Sequence, residues 1–218
     1  MKNTKREKKF SNKTIERLAL YYEILITLPF KKKYISSEEI GNLAGVSPST
    51  VRQDFLHFDE IEGRAKIGYE VTKLKEALRN IFKLNSKTHV VIVGAGSLGQ
   101  AIAGYDSFKK SKVVFDSFFD NNPNKIGRLF KGIFVRDIKY LKDYLKENRR
   151  IKIVVICVPP KEAQGIVNLV VDSGIKIIWN FSPTILKVPS DILVEYEHIG
   201  VSFYRLLFKR KTIKKEIK

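Results

Sequence analysis

The stretch His89-Val90-Val91-Ile92-Val93-Gly94-Ala95-Gly96-Ser97-Leu98-Gly99 decides the fold of the larger part of this chain. Its apolar run does not alternate, so it reads as a strand buried on both faces. The strand runs straight into a G-x-G-x-x-G pattern, which alone is weak evidence; its context strengthens it. A helix follows, with Leu98, Ile102 and Tyr105 facing inward, and then a second strand over residues 113–119 that delivers Asp120. Gly94 permits the tight turn, Gly96 lets a pyrophosphate approach the backbone, and Gly99 lets helix pack on strand. Ala95, Ser97 and Leu98 complete the loop at the positive end of the helix. Asp120 stands 21 residues beyond Gly99, where a carboxylate accepts from a ribose hydroxyl, favouring NAD over NADP. Lys125 and Arg128 leave some tolerance of a 2′-phosphate open.

Towards the C-terminus the βα rhythm repeats. Strands are expected at 133–135, 151–158, 175–179 and 193–196, with a helix carrying Ala163, Ile166, Val167, Val170 and Val171 and closed by Gly174. Strands alternating with helices imply an α/β, doubly wound parallel sheet with its ligand at the carboxyl ends of the strands. Val158-Pro159 and Asn180 lie at such ends, either on the nicotinamide side or as plain strand terminators.

Towards the N-terminus the pattern changes. Ile15, Leu18, Ala19, Tyr22 and Leu25 predict one apolar helix face. Ser36-Ser37-Glu38-Glu39 is a capping box before Ile40, Leu43 and Ala44, and Gly45 is the natural stop. Ser47-Pro48 opens a third helix with Val51, Phe55 and Phe58 inward. Two short helices joined by a tight turn are either a plain αα-hairpin or a helix-turn-helix. In the latter, Ser47, Ser49, Thr50, Arg52 and Gln53 would face bases and phosphates. Residues 62–71 favour the second reading, because they suggest a hairpin with Arg64 and Lys66 near its tip, the wing of a winged helix. A connecting helix with Leu74, Leu78, Ile81 and Phe82 leads to the domain boundary at Asn85-Ser86.

Composition fits two such domains. The 218 residues are 44% hydrophobic, enough for real cores, and carry a formal net charge of +18 that favours polyanions. Residues 204–218 hold 7 basic and 1 acidic side chain, and residues 1–13 hold 6 and 1, so two tails carry most of the excess, while residues 86–203, with 17 and 11, carry a further +6. The single Cys157 excludes a disulfide scaffold and argues for a reducing compartment, and no metal-ligand spacing is present. No apolar run reaches the length of a membrane span. A cytoplasmic protein is expected, with no metal and no membrane partner.

Taken together, Arg17-Leu18-Ala19-Leu20-Tyr21-Tyr22, Ile35 to Ile40, Gly45-Val46-Ser47-Pro48, Val51 to Phe55, Gly68-Tyr69, Val93 to Gly99, Asp120 with Lys125-Ile126-Gly127, Cys157-Val158-Pro159, Gly174-Ile175-Lys176 and Asn180-Phe181 resemble, in order and spacing, the Rex family of bacterial redox-sensing transcriptional repressors. The resemblance spans the chain from about Arg17 to Phe208. It implies a homodimer whose winged helices (residues 1–85) bind an inverted-repeat operator in double-stranded DNA, as part of the nucleoid. Rossmann domains (86–198) would bind NADH or NAD+, and a swapped C-terminal helix with a basic tail (199–218) would cross into the partner. NADH binding would release DNA. Three places depart from the family pattern: the wing is slightly longer, with Ala65 where glycine is usual; Gln53 replaces a basic residue; and His198 stands where an acidic residue pairs with Tyr105.

Two other readings remain. A small NAD-dependent dehydrogenase needs an acid or base at the nicotinamide, and only His198 is placed to serve, since His57 goes with the third helix and His89 precedes the first Rossmann strand. No catalytic residue is assigned, and an enzyme is not expected. A CoA-binding protein is the other, because Val158-Pro159 through Lys176 is also similar to the nucleotide-binding domain of succinyl-CoA ligases.

Overall fold

The computed structural model describes residues 10–216. Most of the basic N-terminal tail (Lys2, Lys5, Arg6, Lys8 and Lys9), and Lys218 at the other end, lie outside them. The chain divides after Ser86 into two compact units.

The first unit comprises α1 (Asn12–Thr27), β1 (Tyr34–Ile35), α2 (Ser37–Ala44), α3 (Pro48–Phe55), β2 (Gly63–Arg64), β3 (Gly68–Glu70) and α4 (Val71–Ile81). The three short strands form an antiparallel sheet in the order β1-β3-β2. Ser11 caps α1, Ser36 and Glu39 form the full capping box of α2, and Ser47 caps α3 ahead of Pro48. Gly45 ends α2 with φ +70°, a left-handed geometry that favours glycine. Two inward faces differ from the sequence reading. In α1 the buried residues are Leu18, Tyr21, Tyr22 and Leu25, whereas Ile15 and Ala19 are exposed. The helix is turned so that the Tyr21 hydroxyl reaches the buried Asp54 carboxylate at 2.9 Å. In α2, Leu43 is exposed because the inner face runs through Ile40 and Gly41. A Cβ on Gly41 would lie 2.6 Å from the Val46 carbonyl, so the bare glycine is what lets α2 and α3 close to a tight corner. His57 lies beyond the end of α3, against Phe10.

The second unit comprises β4 (Thr88–Val93), α5 (Ser97–Ala103), α6 (Asp106–Lys110), β5 (Val113–Asp120), β6 (Leu129–Phe130), β7 (Ile133–Asp137), α7 (Leu141–Glu147), β8 (Ile151–Ile156), α8 (Pro160–Asp172), β9 (Ile177–Asn180), β10 (Leu193–Tyr196) and α9 (Ile199–Glu216). Seven strands make one sheet, ordered β10-β9-β8-β4-β5-β7-β6, parallel throughout except for the β6 hairpin edge. The order reverses between β4 and β8, the switch point where doubly wound sheets bind ligands. Beyond the strands the ladder continues along the carboxyl rim. The Gly94 N–H donates to Phe119 O (2.7 Å), Cys157 N–H to Val93 O (2.7 Å), Phe181 N–H to Ile156 O (2.9 Å) and Glu197 N–H to Asn180 O (2.9 Å).

One helix falls short of its sequence reading. The first Rossmann helix, α5, stops at Ala103 before Gly104; its buried face is Gly99, Ile102 and Ala103. Leu98 and Tyr105 are therefore exposed rather than inward, Leu98 one step round the helix and Tyr105 beyond its end. In α9 one stripe holds Ile199, Phe203, Leu206 and Leu207 and another Val201, Tyr204 and Phe208, all exposed.

Candidate cofactor cleft and nucleic-acid interface

At the switch point a cleft of about 660 Å³ opens between the glycine loop, the end of β5 and α8. Gly94, Gly96, Asp120, Lys125, Val158 and Pro159 all line it. Gly94 has φ +104°, and a Cβ there would stand 2.3 Å from the Cys157 carbonyl; one on Gly99 would stand 2.2 Å from the Gly94 carbonyl. Nothing lies within 4 Å of where a Gly96 Cβ would be, so the space over the loop is open to a ligand's phosphates. The α5 N-terminus carries no side-chain cap. This geometry fits a dinucleotide.

Asp120 is held on three sides. Its Oδ2 accepts from the Ala95 N–H (2.8 Å) and Lys125 Nζ (3.1 Å), and its Oδ1 from the Asn122 N–H (2.9 Å). The carboxylate thus fixes the glycine loop while keeping acceptor capacity on Oδ1 for a ribose hydroxyl. Burial pushes the carboxyl up, but the Asn122 N–H, Lys125 and the Ala95 N–H outweigh it and hold the group below its ordinary value of 3.8. Its stabilisation is therefore present above that value and is lost as pH falls through the depressed one. Asp120→Asn is expected to flatten the acid limb of the stability–pH curve and to weaken NADH about tenfold, read by thermal melts at pH 3–7 and by titration at neutral pH.

Other expected residues lie elsewhere. Ala95 is fully buried and acts through its N–H, Gly99 acts by packing, and Ser97 and Leu98 are on α5 outside the cleft lining. Asn180 is fully buried, its amide donating to Ser182 O and Thr184 O and its oxygen accepting from the Ser182 N–H, so its side chain holds a turn. Tyr105 packs edge-on against Phe108, and His198 stacks on Tyr196; within one chain the two are not a pair. The sequence reading places Ile166 on the core face of α8 but does not give the cleft wall that it forms with Glu162, Gly165 and Leu169. Its i, i+3, i+4, i+7 spacing was visible as a second face beside the core face. Burial pushes the Cys157 thiol up to about 12, which makes it an inert lining group.

In the first unit, Ser47 is occupied as the α3 cap, its hydroxyl 2.8 Å from those of Ser49 and Thr50. Arg52 and Gln53 project outward. Arg52 donates to Ser37 Oγ at 3.1 Å and faces Arg64 and Lys66 across a groove of about 510 Å³ between α3 and the β2–β3 hairpin. Below this surface Asp54 is clamped by Arg17, whose Nε and Nη2 donate at 2.7 and 2.6 Å. Hydrogen bonding to Asp54 raises the Arg17 pKa, and burial raises that of Tyr21. The hairpin turn closes with the Ile67 N–H on Arg64 O, leaving Lys66 at φ +63°. Lys66→Gly is expected to stabilise the unit by about 1 kcal/mol by removing that strain. The same change is expected to make the slope of log affinity for DNA against log salt shallower by about 0.9.

Comparison with known proteins agrees with both halves. A family model described as CoA binding domain matches residues 85–184, and one described as putative DNA-binding protein N-terminus matches residues 9–55. The redox-sensing transcriptional repressor Rex of Clostridium botulinum (strain Hall) is 39% identical over 92% of this chain and 95% of its own length. Its namesake in Clostridium perfringens (strain SM101) is 39% identical over 93% and 95%. Among solved structures, the Rex-family repressor RSP is 35% identical. Bound to β-NADH it gives a TM-score of 0.83, covering 97% of this chain and 100% of RSP. With β-NAD+ and operator DNA the score is 0.82, covering 97% and 98%. The chain belongs to the Rex family of redox-sensing transcriptional repressors.

Proposed function

We propose that this protein is an NADH-sensing repressor in which residues 1–85 read an inverted-repeat operator, residues 86–198 bind NADH or NAD+, and residues 199–218 couple two chains. The observation that carries the reading is a single chain holding both a glycine-loop cleft anchored by Asp120 and a helix-plus-hairpin surface on which Arg52, Arg64 and Lys66 converge. Complexes of RSP with NADH, and with NAD+ and operator DNA, support the same pair of ligands. The C-terminal helix α9 exposes two apolar stripes, and a homodimer formed by exchange of this helix would cover them. Among the described residues no helix is long and apolar enough to cross a membrane.

A cofactor that moves the operator-binding equilibrium from 1:99 to 99:1 must prefer one state by about 5.5 kcal/mol. Operator affinity titrated against the NADH to NAD+ ratio tests the proposal: it should fall steeply with NADH, and operator DNA should weaken NADH by the same factor. An operator affinity indifferent to saturating NADH would sink it. The CoA-binding match makes CoA the second ligand to compare by thermal shift. CoA bears a ribose phosphate that the Asp120 carboxylate repels, so NADH should give the larger shift.

A further inference from the structure

We propose that Arg17 and Asp54 are positioning residues for operator reading: their bidentate pair fixes the rotation of α3 about its own axis and thereby which side chains reach base edges. This rests on the reading of α3 and the β2–β3 hairpin as the DNA surface. Neither residue faces that surface. Asp54 is buried on the inner side of α3, directly after the outward Arg52 and Gln53, and both its oxygens are engaged by Arg17 and Tyr21. The contact continues through rings. Tyr21 meets Phe55 edge-on at 5.5 Å, and Phe55 meets Tyr69 of β3 edge-on at 5.0 Å. A Cβ on Gly63 would stand 2.9 Å from the Tyr69 ring, so β2 lies directly over that ring. One connected set of contacts therefore fixes α3 and the hairpin against α1.

Apolar packing of Val51 and Phe55 would bury the same side of α3 without the clamp, but such contacts are non-directional and tolerate small rotations. A bidentate guanidinium–carboxylate pair does not, because both bonds are lost together when the planes turn. Turning an α-helix by about 20° moves a side-chain tip near its outer radius by roughly 2 Å. That is enough to break hydrogen bonds to a base edge and too little to remove an arginine from a phosphate's field. The clamp should therefore govern discrimination among sequences and leave non-specific affinity alone.

The test compares two duplexes of equal length, one recovered by selection with the wild-type protein and one of random sequence. The variant Arg17→Met/Asp54→Leu, made together with Tyr21→Phe so that no buried hydroxyl is left without its acceptor, replaces the set by apolar groups of similar size, a change that often leaves stability intact. Arg17→Lys keeps the charge but not the fork, and remains informative if the triple variant does not fold. In variants that melt cooperatively, the ratio of selected to random affinity is expected to fall about tenfold or more, while random-duplex affinity and its salt slope stay at wild-type values. An unchanged ratio overturns the proposal. So does a parallel loss of both affinities in a folded variant, because that is not a change of rotation alone. Failure of the underlying reading shows separately, as a wild-type protein that selects no sequence at all.

Discussion

Replacing Gly94 by alanine should all but abolish cofactor binding and lower the melting temperature of the second unit. The substitution meets two obstacles at once. At φ +104° an L side chain is strained whatever the space, and here the new Cβ would sit 2.3 Å from the Cys157 carbonyl, which the rim hydrogen bonds hold in place. Together these cost about 3 kcal/mol or more, and relief requires the loop to move away from the cleft it shapes. Gly96→Ala supplies the contrast. That position has ordinary backbone geometry and no neighbour within 4 Å, so its melting temperature should stay at the wild-type value while NADH affinity falls. Calorimetric melts paired with NADH titrations read both. Undiminished NADH affinity in Gly96→Ala would show that the open space over Gly96 is not where phosphates go.

Placing glutamates at Phe203 and Leu207 should convert the protein to a monomer and cut operator affinity by about 100-fold or more. Through Phe208 the C-terminal helix exposes two apolar stripes, and apolar surface of that extent is normally covered by a partner. A charge on the stripe of Ile199, Phe203, Leu206 and Leu207 would have to be buried in the exchanged arrangement. An inverted repeat read by two tethered modules gains about 10²–10⁴ in affinity over one module, and that gain disappears with the dimer. Sedimentation velocity and binding to full and half operators check the expectation; a variant that stays dimeric and binds normally would place the subunit contact elsewhere.

What was legible in the sequence follows from how local the physics is. The capping box of α2, Ser47-Pro48 and Gly45 act within a turn or two, and each stands where its residues indicated. The glycine loop and Asp120 were legible because close approach and a fixed spacing leave few alternatives. Features set by distant partners were not. Tyr21 replaced Ile15 and Ala19 on the buried face because of Asp54, 33 residues away. Strand β1 has two residues and exists only through its pairing with β3. The wall of α8 has a helical spacing of its own, but nothing local to it tells a ligand-facing stripe from a solvated one. Asn180 sits at a strand end suited to ligand contact, yet its amide satisfies three backbone groups of the turn that follows, a local option that spacing does not reveal.

The row of rim hydrogen bonds from Phe119 to Glu197 joins β5, β4, β8, β9 and β10 in sequence, and its last member lies two residues before α9 begins. In hydrogen exchange such a row should behave as one foldon. The amides of Gly94, Cys157, Phe181 and Glu197 should exchange together, at the free energy of unfolding the whole sheet, rather than in the graded order of separate loops. The glycine loop and the root of the C-terminal helix then open and close in a single step, so a ligand that protects one end protects the other.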